Sequence, residues 1–227
     1  FTGYRPELVK RMNAEKSEDP ALVNAIIDLT KLRNPTAGWK LLGKVPLAER
    51  VWRFKSFDPI VEKDQLPIRA GVNRFREIQL TDDLKDWFKP EYDDSQWNSG
   101  RAPIGTGLYK QGAVSFANQS DWGKGEFIVA RTTFEVDALD YDSYRLCILC
   151  PLGFHAYLNG HRIVDYGWWQ NTPQYTPWVL ASGVSRHLKK GTNVIAVYSN
   201  VNYDLTTKEP MGQVDCMIEG LKRSDLK

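Results

Sequence analysis

WFKPEYDDSQWNSGRAPIGTG, residues 87–107, decides the interpretation of this chain. Its centre, Asp93-Asp94-Ser95, is typical of a turn, because Asp and Ser side chains hydrogen-bond to nearby backbone groups. Trp97 follows directly, and we expect it to be buried behind that turn. From Trp39 onward, short apolar runs alternate with turn clusters and no long helical period returns. This pattern predicts an all-β domain of short strands.

The clearest strand pair surrounds Asn159-Gly160, which separates FHAYL (154–158) from HRIVDYG (161–167). Asn-Gly between two alternating apolar runs indicates a tight hairpin, because both central positions of a type I′ turn need positive φ. Residues 60–80 are interpreted as a loop followed by a strand. The other predicted strands are ERVWRFKSFDP (49–59), FIVARTTFEV (127–136), DSYRLCILC (142–150), NVIAVYS (193–199) and QVDCMIEGLK (213–222).

A helical region is predicted before the strands, within residues 4–33. Asp19-Pro20 suits a helix start, since Asp can cap the helix and Pro fits its first turn. Apolar residues then recur at roughly helical spacing, and Asn34-Pro35 ends the pattern. We therefore expect a short helical appendage, or the tail of a preceding domain, over residues 1–35 and a β-sandwich over residues 36–227.

Charge and hydropathy argue against two classes of partner. Lys and Arg number 30 against 28 Asp and Glu, and the basic residues are scattered, so we expect no nucleic acid. No apolar run approaches the roughly 20 residues of a membrane-spanning helix. The chain begins at Phe1-Thr2-Gly3 without a charged and apolar leader, which we interpret as a mature form or a piece of a longer protein.

The three cysteines predict neither a disulfide framework nor a metal site. Cys147 and Cys150 have CxxC spacing, but residues three apart on a strand point to opposite faces. No second CxxC and no matching His pair completes a zinc site. We expect Cys147, Cys150 and Cys216 to be buried structural thiols.

Four motifs in a fixed order carry a family resemblance. They are WFKPEYDDSQW with GRAPIG (87–105), ARTTFEV (130–136), YLNG (157–160) and LKKGTNVIAV (188–197). Together they resemble the galactose-binding-like accessory domains of family 2-type β-galactosidases and related bacterial enzymes that process polysaccharides. The resemblance implies an antiparallel jelly-roll β-sandwich, carbohydrate as the ligand class, and a covalently linked catalytic domain. It implies no catalytic residue.

Calcium is a common structural ion of the family that the chain resembles. Asp94 is the side chain that we consider for it, because calcium takes six to eight oxygen ligands. Nothing in the sequence has the pattern of an EF-hand loop, so a structural calcium is implied by the resemblance alone. The alternative is that Asp93, Asp94 and Ser95 only cap a turn.

Two loops carry the predicted sugar site, the segments 108–125 and 165–171. Aromatic rings stack on a sugar ring while planar polar groups bind its hydroxyls, and on a sandwich such groups come from loops. The candidate ligand-binding residues are Trp168, Trp169, Tyr166, Trp122, Tyr109 and Arg101, with Asn202 and Tyr203 as weaker candidates. The alternative is that these aromatics cover the ends of the sandwich or contact a partner domain.

The sequence selects no catalytic pair. Ordinary glycoside hydrolysis needs two paired carboxylates, and no GxSxG, HExxH or phosphate-binding motif is present. We therefore expect a non-catalytic carbohydrate-binding accessory domain of an exported bacterial polysaccharide-degrading enzyme, either secreted, periplasmic or at the cell surface. The alternatives are a structural sandwich that braces a catalytic domain without its own ligand, and a small glycoside hydrolase.

Overall fold

Two β-sheets form the part of the chain that the computed structural model describes, residues 38–45, 49–58, 75–107, 118–167, 175–203, 207 and 209–226. Within these residues the pairing is almost entirely antiparallel, and the sheets pack face to face. The predicted all-β sandwich is therefore confirmed. The predicted helical region 4–33, and with it the expected boundary after residue 35, lies outside the described residues.

The described residues contain thirteen strands, numbered in chain order. They are β1 Trp39–Leu41, β2 Val51–Phe57, β3 Asn98–Arg101, β4 Ile104–Thr106, β5 Ser120–Asp121, β6 Phe127–Val136, β7 Ser143–Leu149, β8 Phe154–Leu158, β9 His161–Tyr166, β10 Thr176–Val179, β11 Gly191–Asn200, β12 Asn202–Tyr203 and β13 Pro210–Leu221. The helical elements there are α1, the single turn Ser182–Ser185, and 3-10 turns at Asp82–Leu84 and Arg223–Asp225, and Glu49 also has 3-10 structure. None of these described helices could cross a bilayer.

The two sheets are named after their central strands. The β13 sheet has the order β10-β7-β13-β4-β5, with β1 and β12 also paired to β13. The β11 sheet has the order β3-β2-β6-β11-β8-β9 and is antiparallel throughout. Its longest ladder joins β6 to β11 over ten residue pairs, from Gly191–Val136 to Asn200–Phe127.

The strand predictions are confirmed except at the end of the 60–80 segment. FIVARTTFEV forms β6 with the predicted bounds, and the predicted opening and closing strands contain β2 and β13. Residues 75–80 form no strand, and residues 60–74 lie outside the described part. The Arg76 backbone is instead bonded by side chains: its N–H donates to Asn200 Oδ1 (3.0 Å), and its carbonyl accepts from Tyr198 Oη (2.9 Å).

The main core lies between the sheets. Alternate residues of each strand point inward, as the two-residue period of a strand requires. The large inward side chains from the β11 sheet include Trp52, Phe154 and Ile195, and those from the β13 sheet include Ile148 and Ile218. About five strands of each sheet contribute side chains to this core, so the fold depends on contacts between distant parts of the sequence.

A second core covers the outer face of the β11 sheet. Leu84, Trp87 and Trp97, from the segment before β3, pack there against Val129 and Tyr198. Trp97 is buried, and Asp93 Oδ1 accepts a hydrogen bond from the Ser95 N–H (3.0 Å). The predicted Asp-Ser turn with a tryptophan behind it is therefore confirmed.

The Asn159-Gly160 hairpin has the predicted geometry. It joins β8 to β9, and the φ angles of these two residues are +48° and +85°. The Asn159 side chain also bridges to the next turn: its Nδ2 donates to Asn193 Oδ1 (2.7 Å) and its Oδ1 accepts from the Val194 N–H (2.8 Å). This bridge joins two of the motifs on which the family resemblance rests.

All three cysteines are buried and unpaired with one another, as predicted. Cys150 and Cys216 belong to the main core, whereas the Cys147 thiol contacts Glu219 Oε2 (3.1 Å) on the outer face of the β13 sheet. Burial raises the pKa of Cys147 and of Cys150 to about 12 each. These thiols are therefore protonated and unreactive at neutral pH.

The outer face of the β13 sheet also holds a buried carboxyl group, Asp215, which is 1% exposed. Its Oδ2 accepts a hydrogen bond from Tyr175 Oη (2.5 Å), while its Oδ1 is buried without a hydrogen bond from the described residues. Burial is the main cause that raises its pKa to about 6, against smaller opposing effects of Tyr175 and Arg50.

Because of this carboxyl group, we expect the free energy of unfolding to fall as the pH rises from about 4 to about 7. Its folded pKa lies above the ordinary value of 3.8, so the folded state holds the proton more tightly, and stability falls as the pH rises through both values. Asp215→Asn stays neutral, so its unfolding free energy is expected to gain roughly 3 kcal/mol relative to wild type over that range. Urea unfolding of both proteins at several pH values measures this difference. A difference that does not change with pH would contradict the raised pKa.

Candidate functional site

Both predicted sugar loops attach to the same end of the sandwich, which we call the loop end. The strands that begin or finish there are β2, β4, β6, β7, β8, β9, β10, β11 and β13. The chain leaves the described residues at Gly107, after β4, and returns at Asn118, whose Nδ2 donates to the Gly107 carbonyl (2.8 Å). It leaves again at Gly167, after β9, and returns at Tyr175, before β10.

A cleft of about 400 Å³ opens at the loop end. This volume is at the lower part of the range of about 300–1,000 Å³ that small-molecule sites occupy. The lining combines charged, hydroxyl and backbone groups with apolar surface. The lining residues are Asp58, Thr106, Gly123, Lys124, Gly125, Glu126, Val201, Tyr203 and Pro210.

Glu126 is the buried charge of this cleft. Its side chain is 3% exposed, and its Oε1 accepts hydrogen bonds from Arg76 Nη2 and from Tyr203 Oη (3.0 Å). Its Oε2 is buried and receives no hydrogen bond from the described residues. A buried carboxylate without a full set of donors is costly, so Glu126 depends on the donors that Arg76 and Tyr203 supply.

The groups around Glu126 are held in place by three connections to neighbouring elements. The Glu126 N–H donates to Asp58 Oδ1 (3.0 Å), and its carbonyl accepts from the Val201 N–H (2.8 Å). The Arg76 guanidinium lies over the Phe127 ring, 4.9 Å from its centroid. Asp58 and Val201 directly follow β2 and β11, and Phe127 begins β6, so these contacts fix Glu126 beside the ends of three strands.

Glycines 123 and 125 permit this close arrangement. A Cβ at Gly125 would lie 2.2 Å from the Phe57 backbone nitrogen, and one at Gly123, whose φ is +95°, would lie 2.5 Å from Ser56 Oγ. No larger residue fits there without moving β2. The sequence GKGEF (123–127) therefore positions Glu126 at the start of β6, beside the end of β2.

The structure does not place Trp122 where the sequence analysis expected a stacking residue. Its ring is fully buried in the main core, packs against Gly212, and its Nε1 donates to the Gly125 carbonyl (3.0 Å). No face of this ring is open to a ligand. We therefore exclude Trp122 from the candidate site, because it is a residue of the main core that lies beside the cleft.

Two further predicted residues lie within the described part. Tyr166 is half-buried against Trp178 (ring centroids 4.7 Å apart) and Phe154, and burial raises its pKa. Arg101 is exposed, but it pairs with Val51, six residues from the loop end of β2, which is about 20 Å along the strand. Tyr166 thus borders the loop end and Arg101 does not. Trp168, Trp169 and Tyr109 lie outside the described residues.

The sequence analysis missed Glu126 and the Arg76 that pairs with it beside the cleft, and it ranked Tyr203 as a weak candidate. Glu126 and Arg76 are 50 residues apart, and Tyr203 is a further 77 residues from Glu126. Only the fold brings them together. The sequence does carry a signal for Glu126, because this acidic residue follows Gly125 and directly precedes the apolar run FIVA (127–130).

Asp94 does not fit a calcium site. Its Oδ2 accepts a hydrogen bond from Arg131 Nη1 (2.8 Å), and Arg131 is 3% exposed. A divalent cation bound to the same carboxylate would stand next to a buried guanidinium, and the two positive charges would repel. In the described part of the chain there is also no group of three or more His, Cys, Asp or Glu side chains suited to hold a metal ion.

His155 is the histidine that has carboxylate neighbours. Its Nε2 lies 3.2 Å from Asp165 Oδ1 and its Nδ1 lies 3.9 Å from Glu77 Oε1. Its ring packs between those of Phe75 and Tyr198, and burial is the main cause that lowers its pKa. His155, on β8, therefore contacts Asp165 on β9 and packs against Phe75 of the 75–80 segment.

Comparison with solved structures finds matches among larger glycosidases, whereas no protein-family profile and no curated protein matches the sequence. A β-glycosidase from Bacteroides vulgatus is 18% identical (TM-score 0.39), with 79% of this chain aligned to 20% of that one. A glycosyl hydrolase family 2 member from Bacteroides cellulosilyticus is 13% identical (TM-score 0.45; 81% and 20%). A β-glucuronidase from an uncultured Clostridium is also 13% identical (TM-score 0.45; 84% and 30%). The chain thus spans between a fifth and a third of the length of these proteins.

Proposed function

We propose that this chain is a non-catalytic carbohydrate-binding accessory domain, and that it binds sugar at the loop end of its sandwich. The observation that carries the proposal is the position of the described residues from which the two aromatic-rich segments leave and to which they return. Both attach at the same end, beside a cleft with fixed polar groups. The motif resemblance to accessory domains of polysaccharide-processing enzymes supports the same ligand class.

The chemistry of the cleft suits a polyhydroxyl ligand. Sugar hydroxyls both donate and accept hydrogen bonds, and the cleft offers the exposed Asp58 as an acceptor, Lys124 as a donor, and Tyr203 and Thr106 as hydroxyl groups. Its rigid polar groups lose little entropy when a ligand binds. Trp168 and Trp169 follow Gly167 directly in the sequence, so they are our candidates for stacking on the sugar ring.

As an accessory domain, the chain would be linked to a catalytic domain and exported with it. The parent would be a bacterial glycan-degrading protein that is secreted, periplasmic or held at the cell surface. In that setting the domain would keep the parent on its polysaccharide, and hydrolysis would take place elsewhere. The competing function is that of a brace whose loop aromatics contact the catalytic domain.

Trp168→Ala and Trp169→Ala test the proposed site. At least one of them is expected to weaken glycan binding by about tenfold or more, because truncating a stacked aromatic anchor removes its buried contact area. Affinity electrophoresis in gels containing a bound polysaccharide measures the loss, and thermal unfolding checks the fold. Arg101→Ala is the matched control, since Arg101 is exposed and distant from the loop end.

Three outcomes separate the functions. Loss of binding in a folded tryptophan variant, with Arg101→Ala unchanged, supports the loop-end site. Unfolding of both tryptophan variants would place the pair in the core instead. If the folded wild-type chain retains no polysaccharide at all, the brace is the better account.

A further inference from the structure

A second cleft lies at the margin of the β11 sheet, between β2 and the segment 82–98. Its volume is about 290 Å³, and it is separate from the loop-end cleft, with no lining residue in common. The residues that line it are Phe54, Lys55, Ser56, Asp83, Tyr92, Asp93, Gln96, Trp97 and Asn98. We call it the Tyr92 cleft. None of these residues was a ligand candidate in the sequence analysis.

The walls of the Tyr92 cleft are held by a buried cation. Arg131 Nη1 donates to the Tyr92 carbonyl (2.9 Å) as well as to Asp94, and its Nη2 donates to the Lys89 carbonyl (2.8 Å). The Arg131 guanidinium also lies 5.3 Å from the centroid of the Tyr92 ring. The segment that forms one wall is therefore fixed to β6 at three points, which pre-organises the cleft.

The Tyr92 side chain itself is fixed by two contacts. Its hydroxyl donates to the Asp83 carbonyl (2.6 Å), and its ring lies against that of Trp97, with centroids 5.4 Å apart. Tyr92 is half-buried, so part of it faces the cleft. The cleft thus combines the exposed part of the fixed Tyr92 ring with exposed side-chain amides of Gln96 and Asn98.

The charged groups of the cleft restrict the charge of a ligand. Lys55 Nζ donates to Asp83 Oδ2 (2.6 Å), and this hydrogen bond is the largest cause that keeps the pKa of Asp83 below its ordinary value. Asp93, whose pKa is also lowered, by its bonds from Ser95, adds a second carboxylate. Two carboxylates and one ammonium group leave the cleft with a net negative charge, which disfavours anionic ligands.

We propose that the Tyr92 cleft is a second carbohydrate site, which takes one uncharged pyranose ring. The exposed part of the Tyr92 ring matches the apolar face of a sugar, and the two amides and the carboxylate–ammonium pair match its hydroxyl groups. The volume suits one ring rather than a chain. The site does not depend on the loop-end cleft, because the two have no lining residue in common.

Titration of the isotope-labelled full chain with the methyl pyranosides of glucose, galactose and mannose, followed by NMR, tests this site. At least one sugar is expected to cause saturable shifts in the side-chain amide signals of Gln96 and Asn98. Asn98→Ala and Gln96→Ala are each expected to weaken that binding about fivefold, since each removes about one hydrogen bond. Both side chains are exposed, so the fold is expected to remain.

Two comparisons make the test specific. Trp168→Ala and Trp169→Ala are expected to leave binding at the Tyr92 cleft unchanged, which separates it from the loop-end proposal. Methyl glucuronide is expected to bind more weakly than methyl glucoside. The absence of saturable shifts at Gln96 and Asn98 with all three sugars would overturn the site, whatever occurs at the loop end. Equal or tighter binding of the glucuronide would overturn its assignment to uncharged sugars.

Discussion

Trp122→Ala is expected to lower the free energy of unfolding by about 3–5 kcal/mol, which is the usual cost of truncating a buried large aromatic residue. Its indole is fully buried in the main core and packs against the Gly212 backbone. Its Nε1–H also donates to the Gly125 carbonyl, next to Glu126. The substitution would therefore leave a cavity and an unsatisfied carbonyl at the loop end. Urea unfolding at neutral pH measures the loss.

Trp122→Phe separates the two contributions to this effect. It keeps most of the ring volume and removes the hydrogen bond, so we expect a smaller loss of about 1–3 kcal/mol. Arg101→Ala, at an exposed position, is expected to change stability by less than about 0.5 kcal/mol. If Trp122→Ala unfolds at the wild-type urea concentration but no longer binds glycan, Trp122 is a ligand residue after all.

Arg131→Met is expected to destabilise the fold by about 2–4 kcal/mol, because it removes three charge-assisted hydrogen bonds from a partly buried site. The guanidinium is 3% exposed and joins β6 to Lys89, Tyr92 and Asp94. Without it, two partly buried carbonyls and a carboxylate lose their donor. Met retains much of the volume, so the loss reports on the polar contacts. The measurement is again urea unfolding.

Hydrogen exchange shows where the Arg131→Met change acts. The backbone amides of Trp87 to Trp97 are expected to exchange faster, while those of β13 keep their protection relative to global unfolding. Lys55→Ala is the control, because its ion pair with Asp83 is exposed and such pairs contribute at most about 1 kcal/mol. Equal losses for Arg131→Met and Lys55→Ala would contradict the anchoring role of Arg131.

The local parts of this fold were predictable from the sequence. Asn159-Gly160 specifies its hairpin because positive φ is needed at two consecutive positions, and FIVARTTFEV specifies β6 through its apolar character. Asp93 and Ser95 are two residues apart, and the hydrogen bond that marks their turn joins the side chain of one to the backbone of the other. These features depend on neighbours in the sequence, and pattern alone finds them.

The predictions that were wrong concern residues whose environment is set by contacts with distant parts of the sequence. Residues 75–80 carry apolar side chains like a strand, but the side chains of Tyr198 and Asn200 satisfy the Arg76 backbone groups. Trp122 has polar neighbours in the sequence, like an exposed loop residue. It is nevertheless buried, because the absence of a side chain at Gly212 leaves room for its ring. Glu126, Arg76 and Tyr203 meet only after β6 and β11 have paired. Aromatic content alone does not distinguish a core ring from a ligand-binding ring.

Binding of the purified wild-type chain to a broad array of plant, algal and host glycans, with and without calcium, tests the central claim most directly. The account predicts selective binding to one class of glycan, unchanged by removal of calcium, because Asp94 is already bonded to Arg131. The same unfolding curves used for the variants would establish that the arrayed protein is folded. Folded protein that binds no glycan on the array would contradict the claim and favour a structural brace.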